Sequence, residues 1–395
     1  MRKRNIDIYS NSDVIQLMLN RIKESNLKSN DISDLYKTKY YKAVRSIKNN
    51  TVKRLFLFPY NYFRIYKPEL IRAFVKDKNY TYAQGNAMLI RTLITLFEKT
   101  SDPKYLNQSI SLADNLAKDR SDKSKHMGWG QPFVWYSSKG VTFPPHIPRA
   151  TVTAQVAWAF LDVFRITKDK KYLNWSKDIC ELFINEFNYT PDKDGDICFS
   201  YTTLDNYHVH NANLLAASII SRVYKLTGIK KYQDFAKKSI DFSLKHQNED
   251  GSFYYWAPPN KVFGTIDNYH TGFVLECLKT INEDFDSESY NEAYEKGLEY
   301  YFDYLFEDNT PKLTPKSIHP IDVQSCAQSI ITFASDGRKE YLEKANQVAD
   351  YSISNLFLSE KNHFAYRIYK NGFRDESYYF RWGDAWMLKA LSMIL

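Results

Sequence analysis

The sequence predicts an all-α fold, an (α/α)6 toroid of six helical hairpins with long connecting loops. Three observations carry it. A turn-like cluster followed by Lys and Tyr recurs as "TSDPKYLNQS", "TKDKKYLNWS", "TGIKKYQDFA" and "SDGRKEYLEKA", and "SESYNEAYEKGLEYYFDYL" fills the widest gap. The signal tyrosines fall at 105, 172, 232, 290 and 341, spaced by 67, 60, 58 and 51 residues, and regular recurrence of this kind marks a repeat architecture. Two kinds of helical stretch alternate between the signals, one charged and one largely apolar. Loops rich in Gly, Asp, Pro and aromatics separate them, and loops of such length are uncommon unless functional.

Taken in order, residues 1–35 read as an N-terminal helix or arm, and 36–395 as a single toroid. The first charged helix is expected near Tyr40 or Tyr41, in "LYKTKYYKAVRSIKN". The others open at the turn-Lys-Tyr signals, as in "KKYQDFAKKSIDFSLKH". The apolar set reads "AQGNAMLIRTLITLFEK", "ATVTAQVAWAFLDVFRIT", "NANLLAASIISRVYKLT", "TGFVLECLKTI", "DVQSCAQSIITFA" and "WGDAWMLKALSMIL". Helices apolar most of the way round are buried, so these six form the inner ring and the charged ones the outer. Ala, Gly and Ser on the inner set allow close approach.

Composition narrows the function. The net charge of +8 and pI of about 8.9 suit an anionic partner, and an acidic glycan fits that description. The basic residues read as spread along the chain, with no Arg/Lys-rich tail and no nucleic-acid-binding signature, so no nucleic acid is expected. Tyrosine is abundant at 31 residues, and its flat face with a hydroxyl suits either a helical core or a sugar-binding wall. No run approaches the roughly 18 apolar residues of a membrane span. The start of the chain lacks the features of a signal peptide. Cys180, Cys198, Cys277 and Cys326 stand apart without CxxC spacing, as reduced, buried thiols of a cytoplasmic protein would. No P-loop, GxGxxG, GxSxG or HExxH motif occurs. Neither a cofactor nor a metal is expected.

The inner helices begin with polar or aromatic residues, and in a toroid these starts converge on one mouth of the central funnel. "DNYH" occurs twice, at 205 and at 267, each time ahead of an apolar stretch. Asp205 and Asp267 either cap helices or serve as the reacting carboxylates of a glycoside hydrolase. His208, His210, His270 and His319, half of the eight histidines, lie at these starts and suit hydroxyl binding or proton transfer. Asn211 adjoins them. His319 and Asp322, three apart, share a face if helical. Arg149 and Arg381 are candidate anchors for a carboxylate, although Arg381 also suits a bridge to Asp384. Trp129 and Trp135 in "GWGQPFVW" form a lid or an apolar plug. Tyr207, Tyr269 and Trp382 are candidate platforms for sugar rings.

With its six-unit spacing, its inner-helix starts and the strings "HVHNANLLAAS", "DNYHTGFVLECL", "DVQSCAQSI" and "RWGDAWMLKAL", the chain resembles the six-hairpin (α/α)6 glycosidase superfamily over residues 45–395. It also resembles toroid proteins found with polysaccharide-assembly genes, and "YAQGNAM" is similar to a segment of glucuronyl C5-epimerases. The resemblance implies action on an oligo- or polysaccharide, one containing uronate among the options. Hydrolysis by funnel carboxylates leads, with Asp322 and Asp384 in reserve. Elimination or epimerisation by a His or Tyr base is the alternative, and a non-catalytic glycan-binding subunit is a third. A zinc-dependent toroid would need Cys and His ligands in the funnel, and Cys277 and Cys326 fall too deep in their helices.

Overall fold

The structure, a computed structural model, describes residues 9–75, 79–136, 141–260 and 265–395. Its helices are α1 (Asn11–Glu24), α2 (Lys39–Arg45), α3 (Asn50–Tyr66), α4 (Pro68–Val75), α5 (Ala83–Thr100), α6 (Pro103–Lys118), α7 (Ala150–Thr167), α8 (Lys170–Glu186), α9 (His210–Thr227), α10 (Lys230–Leu244), α11 (Asn268–Phe285), α12 (Glu288–Tyr304), α13 (Val323–Asp336), α14 (Lys339–Leu356) and α15 (Ala385–Met393). The predicted toroid is present. α5, α7, α9, α11, α13 and α15 pack side by side, and α15 returns to α5 to close the ring. α6, α8, α10, α12 and α14 each lie outside their inner partners.

The tight link of each hairpin runs from inner to outer helix. Ser101, Lys168, Gly228, Asp286 and Gly337 each follow an inner helix and adopt positive φ, near 57°, 57°, 70°, 51° and 84°. In each case the backbone N–H returns to a helix carbonyl, such as Phe97 and Tyr224 at 2.8 and 2.7 Å, the left-handed termination that reverses a chain sharply. Asp102 and Asp169 then cap the outer helices through the N–H of Lys104 and Lys171, at 2.9 and 3.0 Å. The recurrent tyrosine has a matching structural use. Tyr172 donates to Asp114, Tyr232 to Glu181 and Tyr290 to Asp241, each bonding the previous outer helix at 2.9–3.0 Å. The sequence period is therefore the period of the outer wall.

The sixth outer position differs from expectation. α1 fills it, burying Val14, Ile15, Met18 and Ile22 and packing on α15. Ser10 and Asp13 form a reciprocal cap at its start. The stretch around Tyr40 and Tyr41 instead opens α2, which with α3 and α4 forms a separate helical cap near the mouth. Arg72 of α4 pairs with the buried Asp34 at 3.1 Å. Tyr60 of α3 donates to the carbonyl of Leu35 at 2.5 Å, and Tyr66 lies 4.7 Å from Phe373 between ring centres. The four cysteines are free and buried, and burial raises the pKa of each thiol. Among the described residues no helix is long and apolar enough to cross a membrane.

The ring is filled along its axis. Arg91 of α5 reaches Gln155 and Asp162 of α7 at 3.0 and 3.2 Å, and Glu276 of α11 at 3.2 Å. Gln328 of α13 donates to the other oxygen of Glu276 at 3.3 Å. Close approach is enforced at Gly272, where a Cβ would stand 2.5 Å from Gln328 Cγ and 3.0 Å from Thr332 Oγ1. Arg91 and Glu276 of this polar plug lie about two turns into their helices.

Candidate functional site

The two DNYH tetrads occupy different structural phases. α9 begins at His210 with Val209 as its N-cap, so Asp205–His208 lies in the preceding loop. Asp267 is itself the N-cap of α11. Identical residues therefore take different roles. Asp205 ties its loop together: Oδ1 accepts from the N–H groups of Tyr201 and Tyr207 at 3.1 and 2.8 Å, and Oδ2 from Thr202 Oγ1 at 2.6 Å. Burial raises its pKa, against these bonds. His208 is buried, with Nδ1 2.6 Å from the carbonyl of Pro258, and holds two loops together.

Asp267 has a partner beyond its cap. Oδ1 accepts from the His270 N–H at 3.0 Å, and Oδ2 lies 2.7 Å from His270 Nδ1. The cap explains the first bond. The second fixes the ring, and with the carboxylate ionised, Nδ1 donates and Nε2 keeps its lone pair. The two side chains retain 12% and 23% of their exposure. A cleft beside them is lined by His210, Asn211, Tyr255 and Thr271. Burial pushes the pKa of His210 down to about 3, which keeps it neutral. Its Nδ1 lies 3.3 Å from Ser243 Oγ. The buried Oδ1 of Asn211 has no hydrogen-bond partner among the described residues.

Aromatic rings surround the pair. Tyr255 and Tyr269 lie 4.5 and 4.3 Å from the His270 ring, and Trp382 meets Tyr269 edge-on at 5.5 Å. Burial holds both tyrosine hydroxyls well above their ordinary pKa, with the Tyr201 phenol and then the Tyr269 phenol adding to the shift at Tyr255, and the Asp267 carboxylate adding to it at Tyr269. Both therefore stay protonated at neutral pH and can donate a hydrogen bond. Arg149 caps no group with its side chain; its guanidinium lies over Trp135 at 4.7 Å and Tyr201 at 5.6 Å. No carboxylate pairs with it among the described residues. Burial and the like charge of Arg381 lower its pKa. Trp135 stacks on Phe143 at 5.0 Å, and Tyr207 meets Trp256 at 5.9 Å, extending the aromatic rim.

Other candidates are committed elsewhere. Arg381 pairs with Asp31 from the N-terminal arm at 2.5 Å and donates to Gln84 at 2.9 Å, so its bridge is not to Asp384. Asp384 is buried and accepts from the Phe364 N–H at 2.9 Å, away from the cleft. Its second oxygen has no partner among the described residues, and burial raises its pKa to about 7. Trp129 belongs to the core, with its indole N–H on the Leu116 carbonyl at 3.0 Å and its ring 5.8 Å from Phe160. His319 precedes a cis proline in an irregular loop, and Ile321–Asp322 is extended, so the helical His319–Asp322 face does not form. Asp322 caps α13 through Gln324 N–H at 2.8 Å and pairs with Arg367 at 2.5 Å. Arg367 and Tyr255 were not singled out by sequence; each lies in a connecting loop whose approach to the mouth carries no local signature.

A triplet of acidic side chains away from the cleft, Asp192, Asp194 and Asp196, is geometrically able to hold a cation. The Lys245 ammonium bonds all three, at 2.7, 2.9 and 2.6 Å.

No protein-family model matches the chain. It is 24% identical to an unsaturated glucuronyl hydrolase of Formosa agariphila over 170 residues, which are 39% of this chain and 40% of that protein. The match therefore spans well under half of that relative. A cellobiose 2-epimerase from Bacillus thermoamylovorans superposes with a TM-score of 0.59 at 11% identity, over 79% of this chain and 87% of the other. The GH76 α-mannanase of Bacteroides thetaiotaomicron superposes at 0.59 and 13%, over 79% and 85%. An unsaturated glucuronyl hydrolase specific for heparin superposes at 0.55 and 13%, over 79% and 85%. The chain therefore has the (α/α)6 toroid fold of the six-hairpin, glycosidase-like enzymes.

Proposed function

We propose that the protein is a carbohydrate-active enzyme whose funnel takes a uronate-containing oligosaccharide, with Asp267 and His270 as its proton-transfer pair. The observation that carries this reading is the Asp267-oriented imidazole beside tyrosine hydroxyls, at a mouth that also holds an unpaired guanidinium, Arg149. A hydrolase with two acting carboxylates needs a second one facing the sugar. Asp205 is spent on three loop hydrogen bonds, and Asp322 on Arg367. The pair is better suited to moving a proton next to a uronate carboxylate.

In that chemistry Arg149 neutralises the carboxylate, which makes the adjacent C–H more acidic. His270 Nε2 takes the proton as general base, and Asp267 stabilises the imidazolium that forms. Tyr255 or Tyr269, held protonated, donates to a leaving oxygen or returns a proton from the opposite face. Elimination or epimerisation results, according to which occurs.

Hydrolysis is the second reading, favoured by the similarity to a protein named as an unsaturated glucuronyl hydrolase. There Asp267 would deliver the proton and water would add. Incubation with uronate and neutral oligosaccharides in deuterated water separates these outcomes. A new absorbing double bond marks elimination, deuterium at a carbon of inverted configuration marks epimerisation, and added water marks hydrolysis. Glycan binding without turnover, equal in wild type and His270→Gln, would sink the enzymatic reading.

A further inference from the structure

The helical cap carries a surface that the funnel does not use. α3 exposes an apolar stripe at Val52, Leu55, Phe56, Phe58, Tyr62 and Phe63, continued on α4 by Leu70 and Phe74. Leu55, Phe58 and Phe74 are 71%, 75% and 89% exposed. Helical spacing puts the α3 side chains on one broad face, and Tyr60, the buried residue of α3, lies at the margin of that face beside Phe56 and Phe63. Large exposed apolar patches of this kind mark interaction surfaces.

The charge of the chain lies in the same place. Between positions 36 and 75, ten residues are Lys or Arg and one, Glu69, is acidic. That local excess of nine exceeds the whole net charge of +8, so the positive charge is concentrated here and not spread along the chain. Lys39, Lys42, Arg54 and Lys67 are solvent-exposed on this cap. Arg54 on α3 and Lys67, just after its end, flank the apolar stripe.

We propose that α2–α4 form a docking face for an anionic lipid membrane, with α3 lying in the plane of the interface. A helix with Phe and Leu on one face and Lys and Arg at its margins buries the apolar face among acyl chains and leaves its cations at the head groups. α3 has 17 residues, and no helix among the described residues is long and apolar enough to span, which fits an in-plane position. Charge complementarity selects anionic lipid over a second copy of this chain, since two such faces would repel. The cap also contacts the mouth, where Lys42 lies over Tyr136 at 5.5 Å and Lys37 over Tyr80 at 4.7 Å. Docking would therefore hold the funnel opening close to the bilayer.

Vesicle flotation of the full chain tests this, using phosphatidylcholine alone against phosphatidylcholine with phosphatidylglycerol, at low and high salt. Wild type should float with the anionic vesicles only, and less at high salt. Each of Lys39, Lys42, Arg54 and Lys67 changed to Gln should weaken binding by about fivefold. Leu55→Ser/Phe58→Ser/Phe74→Ser should abolish it while circular dichroism stays that of wild type. Because these side chains are exposed, the variant should fold, and the charge variants provide a second check. The proposal is overturned if wild type floats with neither vesicle. It is equally overturned if wild type is a dimer in solution that the triple Ser variant makes monomeric, with no vesicle binding.

Discussion

Asp267 Oδ2 lies 2.7 Å from His270 Nδ1 while Asp267 Oδ1 accepts the His270 backbone N–H at 3.0 Å. One carboxylate thus both starts α11 and orients an imidazole one turn into it. The bond to an ionised carboxylate fixes the Nδ1–H tautomer. The two jobs can be separated by substitution.

Asp267→Asn keeps an oxygen for the helix cap and loses the charge behind the imidazole. The expected outcome is a stability change within about 1 kcal/mol and a fall in turnover of about 10²–10⁴-fold. His270→Gln should fall by a similar factor. Denaturant melts alongside single-turnover rates check both, and an Asp267→Asn variant with full activity would remove the pair from the mechanism.

Arg149→Gln removes a half-buried cation that has no ion pair among the described residues. Burial already lowers its pKa, so the folded protein should lose nothing and can gain stability. Affinity for a uronate oligosaccharide should weaken about 10- to 100-fold, the worth of a charge-assisted hydrogen bond, while any binding of the neutral counterpart stays constant. Calorimetric titration with both sugars reads the difference.

Arg367→Met leaves the Asp322 carboxylate, whose side chain is 0% exposed, without its counter-charge. Breaking such a pair from one side costs about 3–5 kcal/mol. Adding Asp322→Asn to the same chain should recover most of that loss. Urea unfolding of the two single variants and the double variant forms a complete cycle.

Asp384 gives a pH dependence of definite sign. Its folded pKa, pushed up to about 7 by burial, lies above the ordinary 3.8. The folded state therefore holds a proton that the unfolded chain has released. The associated stability is full below pH 3.8 and is lost as pH rises through about 7. Asp384→Asn keeps an acceptor for the Phe364 N–H and carries no charge. It should be more stable than wild type at pH 8 by on the order of 2–4 kcal/mol, with the gap closing toward pH 4. His210, held down at about 3 by burial, acts in the opposite sense: its contribution is full above pH 6.5 and is lost as pH falls toward 3. Thermal melts across pH 4–8 of wild type and Asp384→Asn isolate the first term.

Helical periodicity and turn chemistry are local, and what they encode was legible in the sequence by itself. The six apolar stretches became the inner ring because a helix apolar on all sides can only be buried. The turn-Lys-Tyr signals became outer-helix starts because Asp102, Asp169 and the positive-φ residues before them reverse the chain within two positions. Which outer helix completes the ring was decided by packing between opposite ends of the chain, with α1 against α15. The fate of Arg381 and of Asp322 was likewise decided at long range. Arg381 is neutralised by Asp31, 350 positions away, and Asp322 by Arg367, 45 positions away. The two DNYH tetrads show the limit most directly. Their letters are identical, but α9 starts five residues after its Asp and α11 starts immediately after its own. A carboxylate's chemistry depends on which donors reach it; those donors are local at both tetrads, but where each inner helix starts, and so which donors they are, was decided by the packed fold.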